Sequence, residues 1–292
     1  MITWPNETWS HAQSSPMSWS IATVTPPYAE PVTVNEAKAH VKADADVTEE
    51  DSLIAVQISA ARDYVETATG ACRSRQRVMI ATTFDLKLDF FAGGSIHLPR
   101  VPLVSLVSIT YVDVAGLTQT VPSTVYTVDY ANAKIDLAYS QYWPSVLSIH
   151  NAVTVRFIAG MAAPITAVAA TDTLTVYGRT YAALDRLQFI NSGGSLPAPL
   201  GIGTVYEVLS PVAGAFAVNL IGVGSALDIT SPGSGGNFAT ADAAGFQVLR
   251  QAILLQVASY YRNRGDGAFV RAGSFDTTQD TIDALIASQA AG

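Results

Sequence analysis

The chain has 292 residues, of which 49% are hydrophobic and only 14% charged, with a formal net charge of -8. Soluble chains typically carry about 25% charged residues, so this composition points to a subunit that hides surface in an assembly. The acidic balance speaks against an adhesive nucleic-acid surface. The single cysteine, Cys72, excludes an intrachain disulfide and a Cys-x-x-Cys zinc site.

In chain order, residues 1–25 read as an extended arm, rich at first in Trp, Ser, Pro and Asn. They lack the basic start and apolar centre of a signal peptide. Trp4, Trp9 and Trp19 pack either onto their own domain or onto a neighbouring subunit, where aromatic residues concentrate in hot spots. Pro26, Pro27 and Pro31 keep the chain extended up to Thr33. Thr33 and Glu36 then form a capping box, which predicts a helix over Val34–Val41. Thr48 and Asp51 begin a longer helix to about Thr69, with Gly70 as its C-cap. Ile54, Ile58, Ala61, Val65 and Ala68 form one apolar stripe on it. The acidic run Asp44, Asp46, Glu49, Glu50 and Asp51 fails as a calcium loop, because its sixth and twelfth positions are Glu49 and Ala55. These acids suit a helix N-terminus instead. Arg73, Arg75 and Arg77 are the only basic cluster and share one face if extended. They fit ion pairs with carboxylates, within or between subunits, or contact with phosphate.

From Val78 the period changes to two. Phe84, Leu86 and Leu88 alternate with polar residues, and further short strands follow at Val107–Asp113, Leu117–Val121, Tyr126–Val128, Ile135–Leu137 and Val153–Phe157. Together they predict a small antiparallel sheet of about six strands, with Leu98–Leu103 as a stiff linker and Trp143–Pro144 capping one end. Residues 161–240 contain only Arg179 and Arg186 as basic residues and show glycine- and proline-punctuated apolar runs. They read as an inserted all-β module, separable from the rest of the chain. A closing helix spans Asp242–Arg262, with the stripe Phe246, Leu249, Ile253, Val257 and Tyr260 expected against Ile54, Ile58 and Val65, and with Gln256 facing out. A last short helix covers Asp280–Ser288. The fold class is thus α+β, with a helical domain and small antiparallel sheet over 26–160 and 241–292, and an all-β module over 161–240. No apolar stretch is long enough to span a membrane.

Motifs of catalysis are missing. His11, His40, His97 and His150 form no His-Glu-x-x-His or His-x-His spacing, and there is no Gly-x-Ser-x-Gly elbow and no phosphate-binding Gly-x-x-x-x-Gly-Lys loop. Cys72 has no evident histidine partner, although nearby arginines would lower its thiol pKa. We therefore expect no catalytic residue, no metal and no cofactor.

The order of these elements resembles the head–tail connector (adaptor) proteins of tailed phages. Glu30-Pro31-Val32-Thr33, followed by Glu36-Ala37-Lys38-Ala39-His40-Val41, is similar to the family's opening motif, with Val34 where leucine is usual. Tyr64-Val65-Glu66-Thr67-Ala68-Thr69-Gly70 is similar to the end of its alanine-rich helix. Leu98–Leu103, Ser108–Asp113 and Val153–Gly160 resemble its strand segments, and Arg250–Arg264 its C-terminal helix, with Tyr260 in place of tryptophan and Gly265 in place of an acid. Residues 161–240 depart from compact members and resemble a β module of phage virion proteins, carried by Phe189–Gly194, Leu196–Leu200 and Gly203–Tyr206.

The resemblance implies a homo-oligomeric ring of twelve in the virion neck, assembled in the host cytoplasm. The ring would dock under the portal protein, join a tail-side neck or tail completion protein, and pass DNA through its lumen with at most non-specific contact. The candidate interface residues are Trp4, Trp9, Trp19, Arg73, Arg75, Arg77, Tyr260, Tyr261, Arg262 and Arg264. The alternative is a carbohydrate- or surface-binding virion module, which would need exposed aromatics on one face of residues 161–240.

Overall fold

The structure, a computed structural model, describes residues 19–68, 76–91, 93–262 and 277–290. It opens with β1 (Trp19–Thr25), an uncharged run of β-branched and aromatic residues suited to a pleated edge. Helix α1 (Val34–Val41) starts at the capping box: Thr33 Oγ1 accepts from the Glu36 N–H at 3.2 Å, and Glu36 Oε2 accepts from the Thr33 N–H at 3.0 Å. Helix α2 is Asp51–Ala68. Short strands follow: β2 (Gln76–Arg77), β3 (Thr82–Leu88), β4 (Ser95–His97), β5 (Arg100–Val101), β6 (Leu103–Val112), β7 (Thr118–Thr120), β8 (Tyr126–Asp129), β9 (Lys134–Leu137) and β10 (Val153–Ala159). Then come β11 (Ala162–Val168), β12 (Thr173–Val176), β13 (Arg186–Ser195), β14 (Val205–Val212), β15 (Ala215–Leu220) and β16 (Ser234–Thr240). Helices α3 (Ala243–Arg262) and α4 (Thr277–Ala290) complete the chain. The chain is therefore mixed α+β.

The strands do not form the single six-stranded sheet that alternation suggests. One antiparallel sheet has the order β1-β3-β10-β6-β7, a second the order β4-β9-β8, and β2 pairs with β5 in parallel. Alternation locates a strand but not its partner. β8 and β9 form their own hairpin because Asp129 closes the turn, accepting from the Asn132 N–H at 3.0 Å. β1 takes the edge place beside β3, so residues 19–25 of the expected arm are held by the chain's own sheet. The cross-strand pair Phe84 and Phe157, ring centroids 5.7 Å apart, sits among Leu86, Ile109, Val153 and Val155 in one core. On the opposite face of the same strands, Arg156 holds Asp85 through two hydrogen bonds of 2.7 and 2.8 Å. Trp143 stacks on Phe91 at 4.7 Å, and its indole N–H donates to the Gly93 carbonyl at 3.0 Å, closing one end as read.

The six strands between Ala162 and Thr240 close into an antiparallel barrel, β11-β12-β15-β14-β13-β16, filled by Leu174, Leu187, Phe189, Tyr206, Val208, Phe216 and Val218. The expected stripes meet: Ile54, Ile58, Ala61 and Val65 of α2 share one buried cluster with Phe246, Leu249, Ile253 and Val257 of α3. Ile282 and Ile286 of α4 join it, and so do Met161, Ala162, Ile190 and Phe238 from the barrel and its entry. The barrel and the helices therefore share one buried cluster, and the deletion given below decides whether 161–240 is separable. A helix that is apolar around most of its circumference needs cover on several sides, and the barrel supplies part of that cover.

Two local observations agree with this packing. Gly193 of β13, with φ +76°, leaves no room for a Cβ against the Thr33 side chain at the start of α1. The Ser192 hydroxyl donates to the Glu30 carbonyl at 2.8 Å. Gln256, expected to face out, is 5% exposed for the same reason: α3 has little outward side at that level.

Ile253→Ala should cost about 2–5 kcal/mol, the usual range for a fully buried aliphatic truncated to alanine. Gln251→Ala on the exposed side of α3 should cost less than about 0.5 kcal/mol. Urea unfolding of the full chain checks both. Replacing residues 163–239 by a short Gly/Ser linker should yield insoluble or unfolded protein, seen by circular dichroism, because it uncovers α3.

Candidate assembly surface

Of the residues expected at subunit contacts, Trp4, Trp9, Arg73, Arg75 and Arg264 lie outside the described residues. Trp19 begins β1 and is 46% exposed. Tyr260 and Tyr261 are half-buried and pack against the helical core. The Tyr261 hydroxyl donates to Glu50 Oε2 at 2.7 Å, so it ties the end of α3 to the residue before α2. Arg262 is exposed beside them. Arg77 is not brought to this group. It lies on β2, where the charge of Asp242, just before α3, reaches it. Arg77 and Arg262 therefore mark opposite ends of α3.

Arg77 instead lines a cleft of about 280 Å³ together with Arg62, Asp63, Glu66 and Arg100. Arg62 is committed: its Nε donates to Glu30 Oε2 at 2.7 Å and its Nη1 to Glu66 Oε2 at 3.0 Å. Glu66 Oε1 also accepts from the Met79 N–H at 2.8 Å. Burial nevertheless pushes the Glu66 carboxyl up, outweighing Arg62 and the Met79 amide. Arg77 and Arg100 stand on the paired strands β2 and β5. Burial pulls both guanidinium groups down from their ordinary value, and neither forms an ion pair among the described residues. Arg100 lies over the Phe84 ring, 5.6 Å from its centroid. Its Nη1 donates to the Pro99 carbonyl at 3.4 Å.

Two further charged side chains fix the helices and were not legible as such. Lys38 is 2% exposed, a rare state for lysine. Its Nζ donates to the Val47 carbonyl at 2.6 Å and the Ala45 carbonyl at 3.3 Å, and pairs with Asp51. It thus pins the acidic segment 44–50 to the N-terminus of α2. Its spacing from Val34 and Val41, four and three residues along α1, was the available signal that it points inward. Arg250 of α3 donates from Nε to the Pro31 carbonyl at 2.7 Å, from Nη1 to Gln247 at 2.9 Å, and from Nη2 to Glu36. Burial pushes the Glu36 carboxyl up, but the Thr33 amide and Arg250 outweigh it and hold it below its ordinary value.

Large apolar side chains stand in solvent on several loops: Val114 and Leu117 at the β6–β7 turn, Tyr139 and Tyr142 after β9, and Leu184, Ile202, Val212 and Val223 on the barrel. Single exposed apolar residues are ordinary, but this many on a chain of low charge fit surface that is covered in an assembly. Among the described residues no group of three or more His, Cys, Asp or Glu side chains is placed to hold a metal ion. No described helix is long and apolar enough to cross a membrane.

No protein-family model matches the chain. No curated protein matches it either. Among solved structures, it is similar to a chain in the neck of an empty GTA particle computed with C6 symmetry, at 18% identity and a TM-score of 0.50, covering 92% of this chain and 94% of that one. The likeness is one of fold. Chains in the virion of a native gene transfer agent (GTA) particle, and in the neck of a native GTA particle computed with C12 symmetry, each share 17% identity with it. They align at TM-scores of 0.48 and 0.49, over 91% and 92% of this chain and 94% of each of theirs.

The Glu36–Arg250 link sets a pH dependence. A carboxyl held below its ordinary value stabilises the fold above that value, 4.5, and loses this contribution as pH falls through its folded value. Glu36→Gln should therefore lower the urea midpoint at pH 7, and the difference from the unaltered chain should shrink below about pH 4.5. A difference that stays constant down to pH 3 would contradict the assignment.

Proposed function

We propose that the chain is a structural subunit of the neck of a phage-like particle, forming a ring that docks under the portal, joins the tail side and surrounds the DNA channel. The observation that carries this reading is the end-to-end fold likeness to a chain of a GTA particle neck, over 92% of this chain. The connector-family motifs at Glu30–Val41, Tyr64–Gly70 and Arg250–Arg264 support it independently. So do the exposed apolar loops and the low charge. Residues 26–160 and 241–292 are read as the connector domain and 161–240 as a β module carried on it. The ring has twelve copies, as the family resemblance implies. A net charge of -8 suits a lumen through which DNA slides, since phosphate is held by basic surfaces and repelled by acidic ones. The chain acts by assembly and not as an enzyme.

The carbohydrate-binding alternative draws no support from the barrel. Phe189, Tyr206 and Phe216 are buried inside it, Phe238 is buried against the helical core, and Tyr181 packs edge-on to Phe216 at 5.1 Å, which leaves Tyr177 as a lone exposed aromatic where a glycan face needs two or more.

Electron microscopy of particles containing this chain tests the reading. The expected result is a twelve-membered ring of the chain directly below the portal. A neck resolved without such a ring overturns it.

A further inference from the structure

We propose that the groove between the end of β1 and the barrel strands β11 and β12 receives the N-terminal segment Ile2–Trp9 of a second copy of this chain. This contact rests on the ring reading above and assigns the arm of one subunit to a surface of its neighbour.

The groove has a volume of about 410 Å³, enough for one or two large side chains. Pro26 and Tyr28 line it from the segment after β1, and Pro164, Ile165, Val176 and Tyr177 line it from the barrel. None of its lining residues carries a charge. Tyr28 is 74% and Tyr177 42% exposed, so two aromatic side chains stand in water beside the buried Ile165 and Val176. The Tyr177 ring is held in place by its hydroxyl, 3.0 Å from Thr83 Oγ1. Apolar and aromatic side chains cover such a surface most favourably. An ion or a polyanion finds no counter-charge in it. A sugar fits less well than a side chain, because the lining has no carboxylate, amide or guanidinium to pair with its hydroxyls. Thr166 and Thr175 supply hydroxyls that can accept from an indole N–H.

A segment of matching chemistry lies on the same chain. Residues 1–18, outside the described residues, precede Trp19 at the start of β1. Ile2, Trp4, Pro5 and Trp9 make residues 2–9 apolar and aromatic, with Glu7 as their single charge. Tryptophan is a favoured anchor at protein interfaces. β1 separates Trp19 from Thr25, which is itself at the groove, by about 20 Å at about 3.3 Å per residue. The arm therefore joins the strand at its end remote from the groove. To enter the groove of its own subunit it would have to reverse and run back along the whole of β1, whereas a neighbour's groove needs no such reversal. From Trp19 back to Trp4 an extended chain reaches about 50 Å. A compact chain of 292 residues has a radius of gyration of about 19 Å. The arm is thus long enough to cross to an adjacent copy. Arm and groove are different surfaces, so their contact is heterologous and closes into a ring when the rotation allows it.

Sedimentation of the full chain over a concentration series tests the contact, with four proteins: the unaltered chain, the arm variant Trp4→Ala with Trp9→Ala, the groove variant Tyr28→Glu with Thr166→Glu, and the chain carrying all four changes. The groove variant alters only exposed residues. The arm variant changes none of the described residues, so it reports on the contact even where the groove variant fails to fold. The expected result is self-association of the unaltered chain, at least about tenfold weaker in each partial variant, which corresponds to about 1.4 kcal/mol. The four-fold variant should be no weaker than either partial one, because both sets of changes remove the same contact. Disulfide trapping then identifies the owner of the arm. In a Cys72→Ala background, chains carrying only Thr8→Cys are mixed with chains carrying only Thr175→Cys, and a linked heterodimer is expected on a non-reducing gel. A chain carrying both cysteines that instead closes on itself as a linked monomer places the arm in its own groove and overturns the proposal. Undiminished association in the arm variant, or losses that add in full in the four-fold variant, also overturns it and leaves the ring reading standing. A chain that stays monomeric at every concentration and forms no linked heterodimer overturns the contact too, and particle imaging then decides the ring by itself.

Discussion

Helix α3 is the element on which the rest of the structure depends. Ala243, Gly245, Phe246, Leu249, Ala252, Ile253, Gln256, Val257 and Ala258 are all buried, so the helix offers water only a narrow strip. A helix of this kind is not stable beside a single partner. α2 brings Ile54, Ile58 and Val65, α4 brings Ile282 and Ile286, and the barrel brings Ile190 and Phe238. Each large side chain contributes about 1.5–3 kcal/mol when fully buried, so losing any one of these covers removes a substantial fraction of a typical domain's stability. Arg250 adds a polar fastening to this packing: from α3 it reaches both the Pro31 carbonyl and Glu36 of α1. The barrel, although built from a contiguous stretch of chain, thus belongs energetically to the helices it sits against.

This arrangement bears on assembly. A subunit whose helices are locked by internal packing can offer charged and apolar groups at its surface without losing shape. The exposed loops at Val114, Leu117, Tyr139 and Tyr142 lie on the sheet side of the molecule, away from the α2–α3 core. They give the proposed ring further surface for neighbours of other kinds.

What the sequence made legible follows from the range of the interactions involved. The capping box at Thr33 and Glu36 is local and reads directly. The stripes on α2 and α3 read from their period, and their mutual burial follows because neither can be satisfied alone. Sheet membership does not read this way. β1 looks like part of an arm until β3 is seen to need an edge partner, and β8 and β9 alternate like their neighbours yet pair with β4. The barrel's closure is hidden because β13 and β16 meet through glycine- and serine-rich segments with weak alternation. Gln256 departs from its period because a polar residue in a periodic helix is taken to face water, an inference that fails when the helix is covered on nearly all sides. Arg77 was legible as part of a basic cluster, but Arg62 and Arg100, which complete its cleft, come from distant elements that no spacing rule connects.

The claim that one core unites helices and barrel is tested most directly by native-state hydrogen exchange of the full chain, followed by mass spectrometry across a range of denaturant. The account predicts that the slowest amides of α2, α3, β13 and β16 exchange through a single opening with one common free energy. Exchange of β13 and β16 through a separate, lower-energy opening, with α2 and α3 still protected, would contradict it.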